Sequence, residues 1–123
     1  FNRQDRLLST FSSAMEVFVK DLKQNNTFKD TLILVFSEFG RRVQQNGAGG
    51  TDHGAANNVY IIGENLKNKG FYNDAPDLLR LDKNGDIIHT VDFRSIYASI
   101  LDKWLEVDEV SILNKTFRKL DFI

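Results

Sequence analysis

No cysteine occurs in the 123 residues, so disulfides and thiolate metal sites are excluded, while an oxidising and a reducing compartment both stay open. An excess of one charge is missing as well. Sixteen basic residues stand against 17 acidic ones for a formal net charge of -1, so no global field recruits nucleic acid or an anionic membrane, and any anion recognition must be local. Long apolar runs are absent: none approaches the ~20 residues that a membrane span needs. There is a single proline, Pro76. The opening Phe1-Asn2-Arg3-Gln4 has neither an initiating Met nor a signal-peptide pattern, and reads as the interior of a longer protein whose export signal would lie upstream. What is present, 41% hydrophobic residues, suffices for one modest core, so a single domain over residues 1–123 is expected.

The stretch from Thr31 to Gly63 organises the chain. It opens with Thr31-Leu32-Ile33-Leu34-Val35-Phe36 and breaks at Ser37-Glu38-Phe39-Gly40-Arg41-Arg42. It then loops through Gly47-Ala48-Gly49-Gly50-Thr51-Asp52-His53-Gly54 and re-enters with Asn58-Val59-Tyr60-Ile61-Ile62-Gly63. A β-rich run without polar alternation is the pattern of a strand covered on both faces, which predicts the centre of an α/β sheet, mainly parallel and flanked by helices. Function in such sheets collects beyond the carboxyl ends of the strands. Before this stretch, apolar residues at Leu7, Leu8, Phe11, Ala14, Met15, Phe18, Val19 and Leu22 predict an amphipathic helix from Asp5 to about Gln24, ended by Asn25-Asn26. After it, Asn84-Gly85 between two β-capable runs predicts a small antiparallel hairpin, and Asp92 caps a second helix ending near Glu106. Phe93, Ile96, Tyr97, Ile100, Leu101, Trp104 and Leu105 form its apolar face, and the tail to Ile123 is expected to pack irregularly. Tyr60 and Trp104 fall on buried patterns and read as core.

Five residues carry the candidate chemistry. Glu38, just past a strand, can be held rigidly as a metal ligand or general base, or can simply pair with Arg41 or Arg42. Asp52 and His53 in a glycine-rich loop offer an oxygen and an imidazole to a divalent ion such as zinc or manganese; a loop-stabilising hydrogen bond is the ordinary alternative. Arg41 and Arg42 after Gly40 suit a phosphate, sulfate or carboxylate, because the guanidinium fork meets such anions with two parallel hydrogen bonds; a solvated pair of charges would look the same. The glycines form neither a Walker loop nor a dinucleotide fingerprint. His89 reads as a structural histidine of the hairpin and Asp92 as a helix cap.

Ser37-Glu38-Phe39-Gly40-Arg41, then Gly50-Thr51-Asp52-His53-Gly54, then Thr90-Val91-Asp92-Phe93-Arg94, all behind an N-terminal helix, resemble the C-terminal part of the domain-of-unknown-function family 1501, over nearly the whole chain. That family resembles in turn the alkaline phosphatase and sulfatase superfamily, metal-dependent hydrolases of phosphate and sulfate esters. The resemblance implies an alkaline-phosphatase-like α/β fold of which residues 1–123 are the C-terminal portion. It also implies an exported or periplasmic location and a divalent metal (zinc, manganese, calcium or magnesium) bound weakly or not at all by this fragment. It makes Glu38, Asp52 and His53 the metal residues and Arg41 and Arg42 the anion-binding ones, with the nucleophile outside this chain. Phe39 departs from the superfamily, which has a metal-binding side chain at such a place. The implied function is part of a phosphate or sulfate ester hydrolase, inactive alone. The rivals are a non-catalytic module binding an anion or glycan, and a structural or assembly domain. The expected partners are a small anionic ester or glycan and a weak homodimer, with no nucleic acid and no membrane span.

Overall fold

The computed structural model describes residues 2–123. Seven regular elements run in the order α1 (Asn2–Gln24), β1 (Leu32–Val35), β2 (Gly40–Gln45), β3 (Thr51–Gly54), β4 (Tyr60–Gly63), α2 (Phe93–Lys103) and α3 (Glu109–Leu113), with one 3₁₀ turn at Phe28–Asp30. The chain forms two compact units. One holds the chain up to Ile33 together with Ile61–Asn65, and the other holds Leu34–Tyr60 with Leu66–Ile123.

In the first unit, α1 stops where the sequence places its end. Asn26 takes φ 56°, the left-handed conformation that Asn tolerates, while Asn25 Nδ2 donates to the Asp21 carbonyl at 3.0 Å. Phe28 is buried in the turn that follows, with the Lys23 ammonium 5.1 Å from its ring centroid. Asn65 Nδ2 donates to the Lys29 carbonyl at 2.9 Å. From Arg3 onward no residue of α1 is buried.

The expected mainly parallel α/β sheet of alkaline-phosphatase type is not what these residues build. Among the described residues there are two separate two-stranded sheets, β1 with β4 and β2 with β3, and the β2–β3 pair is antiparallel. Two physical reasons stand out. The run Leu32–Val35 is only four residues long and half-buried throughout, so it is not a strand covered on both faces. The presumed loop after it also contains its own ladder, with Gly40 opposite Gly54, Arg41 opposite His53 and Gln45 opposite Thr51, and a break in register between Arg41 and Gln45. Tyr60, expected in the core, is 57% exposed at the start of β4.

The second unit contains the better packed body. Asp92 caps α2 by accepting from the Arg94 amide at 2.9 Å, and Arg94 Nη2 closes back on the same carboxylate at 2.7 Å. The buried residues of α2 are Ile96, which the periodicity selects, and Ser95, Ala98 and Ser99, small residues that it does not. Small side chains let the tail come close. Ser99 Oγ donates to the Ser95 carbonyl and accepts from the Leu120 amide, each at 2.7 Å, so the buried hydroxyl is satisfied in both senses. Leu120 and Phe122 are buried, Lys103 Nζ donates to the Leu120 and Ile123 carbonyls, and Tyr72 stands edge-on to Phe122. The tail is therefore ordered by specific bonds. It also contains α3, capped by Asp108 and closed by Asn114 at φ 56°. Between Leu34, Tyr97, Ile100, Leu101, Ile112 and Leu113 lies an apolar hollow of about 270 Å³.

The Asn84-Gly85 turn forms as expected, with Gly85 at φ 80° and the Asp82 carboxylate accepting from the Asn84 and Asp86 amides. Those two bonds hold the Asp82 carboxyl below its usual range. Only one antiparallel bridge, Leu81 with Ile87, joins its arms, and His89 is exposed.

Candidate functional site

Two glycines allow the β2–β3 hairpin to form. A Cβ on Gly40 would lie 1.4 Å from the Ala56 carbonyl oxygen, and one on Gly54 would lie 2.8 Å from the Arg41 carbonyl carbon. Backbone therefore passes where any side chain would stand. The turn is built by Asn46, whose side-chain oxygen accepts from the Ala48 and Gly50 amides while its Nδ2 donates to Asp52 at 2.9 Å. Gly49 there takes φ 75°. The two motifs Ser37–Arg41 and Gly50–Gly54 thus become neighbours across one ladder. Phe39 stacks on the His53 imidazole with ring centroids 3.6 Å apart and planes 19° from parallel.

This ladder presents an open concavity of about 540 Å³ lined by Arg41, Arg42, Asn46, Thr51, Asp52 and His53. Arg41 Nη1 donates to the Thr51 carbonyl at 2.8 Å and its guanidinium lies 5.7 Å from the Phe39 ring centroid, which leaves further N–H groups of the fork for a ligand. Arg42 is anchored from outside the hairpin by Asp86, with Nε 3.3 Å from a carboxylate oxygen and the Asp86 side chain only 13% exposed. The lining carries two guanidiniums and one carboxylate, and that carboxylate is already engaged by Asn46.

Four of the five sequence candidates, Arg41, Arg42, Asp52 and His53, line this concavity. Glu38 is exposed and is not part of its lining. Among the described residues no group of three or more His, Asp or Glu side chains is placed to share a metal ion. Asp52 and His53 are successive residues of β3; the Asp52 carboxylate accepts from Asn46 and the His53 ring stacks on Phe39. Sequence reasoning missed Asn46, Thr51 and the stacking role of Phe39. A signal for the turn was present: Asn46-Gly47 is the same dipeptide that marks the turn at Asn84-Gly85.

No helix among the described residues is long and apolar enough to cross a membrane. No curated protein and no solved structure matches the chain. A family model described as "Protein of unknown function (DUF1501)" does match, over residues 1–113, and it spans both motifs of the hairpin, α2 and α3: the chain belongs to that family.

Proposed function

We propose that the β2–β3 hairpin is a binding site for a small anionic group, a phosphate, sulfate or carboxylate carried by a larger molecule. The observation that carries the reading is the convergence of Arg41, Arg42 and His53 on one concavity in which the single carboxylate is occupied by Asn46. A guanidinium whose plane is fixed by a backbone carbonyl loses little freedom on binding, and its remaining donors match an oxyanion. The open, solvated setting keeps the attraction modest, so affinity for an isolated ion should be on the order of millimolar, about -4 kcal/mol. Binding as part of an ester hydrolase rests on the family resemblance alone and would require the nucleophile from outside these residues.

The test is titration of the chain with inorganic phosphate and sulfate, followed by amide and imidazole NMR shifts. Saturable shifts at Arg41, Thr51 and His53 that vanish in Arg41→Gln support the reading. Shifts that are linear in anion, or unchanged by Arg41→Gln, overturn it.

A further inference from the structure

Arg42 is held from behind. Its contact with Asp86 uses Nε, 3.3 Å from a carboxylate oxygen, while the same side chain lines the concavity of the β2–β3 hairpin. Nε and that oxygen are both buried, and neither makes a hydrogen bond among the described residues, so attraction between full charges is what joins them. The position of Asp86 is fixed. Its turn is closed by the Asp82 carboxylate, which accepts from the Asn84 and Asp86 amides at 2.8 and 2.9 Å, and by the Asp82 amide, which donates to the Asp86 carbonyl at 2.9 Å. With its side chain only 13% exposed, the Asp86 carboxylate is less screened than the exposed Asp52.

The lining of the concavity has two guanidiniums and one carboxylate, an excess of one positive charge. The bond from Asn46 satisfies an oxygen of Asp52 without cancelling its charge, because the donor is a neutral amide. One negative charge on a ligand balances that excess. A second would be opposed by Asp86, acting through the width of the Arg42 guanidinium. We propose that the hairpin selects a singly charged oxyanion (a carboxylate, a sulfate monoester or a phosphodiester) over a doubly charged phosphate monoester, and that Asp86 sets this preference without touching the ligand. Specificity of this kind needs a repulsive element beside the attractive ones. The extra charge meets Asp86 across roughly 6–8 Å next to open solvent, a separation that gives about a threefold to tenfold difference in affinity. The inference rests on the anion site proposed above and narrows its ligand.

Small probes test it at about pH 8, where methyl phosphate carries two charges and methyl sulfate, dimethyl phosphate and acetate carry one each. Wild type should bind at least one of the singly charged probes as tightly as methyl phosphate or tighter, read from saturable amide shifts at Arg41 and Thr51. In Asp86→Asn the affinity for methyl phosphate should rise relative to that probe by about threefold or more. Asp86→Glu, which retains the charge, should keep the wild-type order. The wild-type ranking is decisive whether or not the asparagine variant folds. Tighter binding of methyl phosphate than of every singly charged probe by wild type overturns the inference and leaves the anion site standing. So does an unchanged ratio in folded Asp86→Asn. Saturable binding of none of the probes overturns the anion site itself, and this inference with it.

Discussion

The β2–β3 hairpin and the α2-plus-tail body are held by opposite means. In the hairpin the backbones are crowded while the side chains of Arg41, Asp52 and His53 stand exposed. In α2 the side chains of Ile96, Ala98 and Ser99 are buried, and bonds from Ser99 and Lys103 draw in the tail. A hairpin closed by glycines tolerates change at its side chains and little at its backbone. The helix body does the reverse, because its geometry is fixed by what fills it. Side chains with no packing duty are free to meet a ligand, which is why the proposed anion site falls on the hairpin.

Adding one methyl group should have the largest effect. Gly40→Ala puts a Cβ 1.4 Å from the Ala56 carbonyl oxygen, so the hairpin must open, at a cost of about 3 kcal/mol or more. Loss of the Phe39–His53 ring-current shifts together with a lowered melting temperature would show it. Unchanged shifts would mean that the ladder relaxes easily and the contrast fails. Ser99→Ala tests the other side, since it leaves the Leu120 amide without its buried acceptor and should cost ~1–3 kcal/mol in chemical denaturation.

Next comes the α2 cap. Asp92→Ala should cost about 1 kcal/mol. The wild-type cap also carries a pH signature. The Arg94 side chain and amide hold the Asp92 carboxyl down to about 2, below its unfolded value, so its contribution is fully present above the unfolded pKa and is lost as pH falls through 4 towards 2. Side-chain solvation reduces the amplitude, because the carboxylate is 35% exposed. Denaturation midpoints of wild type and Asp92→Asn should converge over that window. The smallest stability effect should be Arg41→Gln, within ~0.5 kcal/mol of wild type, although it abolishes anion binding. A large destabilisation would show that Arg41 is a structural strut.

Local features were the most legible in the sequence. The end of α1 at Asn26, the Asp92 cap and the Gly85 turn all depend on neighbours in sequence, whereas β2, β3 and α3 lie in stretches whose sequence reads as loop and irregular tail. Family membership was legible too, because the Ser37–Arg41 and Gly50–Gly54 motifs carry the resemblance, and the family model matches residues 1–113. Burial was not. Leu32–Val35 has the composition of a central strand and is half-buried, while α1 has a clear apolar stripe and, from Arg3 onward, no buried residue. Apolar patterning says which face needs cover, and only long-range contacts say whether these residues supply it. The α2 face is legible only in part, for a related reason: the periodicity selects large residues such as Ile96, whereas the close approach of the tail also buries Ser95, Ala98 and Ser99. The geometry around the candidate residues was not legible: His53 stacks on Phe39, the position that departs from the metal-binding pattern, and Glu38 lies apart from the lining of the concavity.

The turn residue Asn46 gives the hairpin a chemical clock. An Asn followed by Gly is the dipeptide most prone to lose its amide nitrogen through a succinimide, because glycine offers no side chain to hinder the attacking backbone nitrogen. In Asn46 the nitrogen that would leave is the donor to Asp52. Its replacement by oxygen would set two carboxylates against each other beside Arg41 and Arg42, cancelling the positive character of the cleft. The three bonds of the Asn46 side chain restrain its rotation and so protect it while the hairpin is closed. Aged preparations should accordingly be heterogeneous in charge, with the fraction converted at Asn46, as distinct from Asn84, the poorer binder.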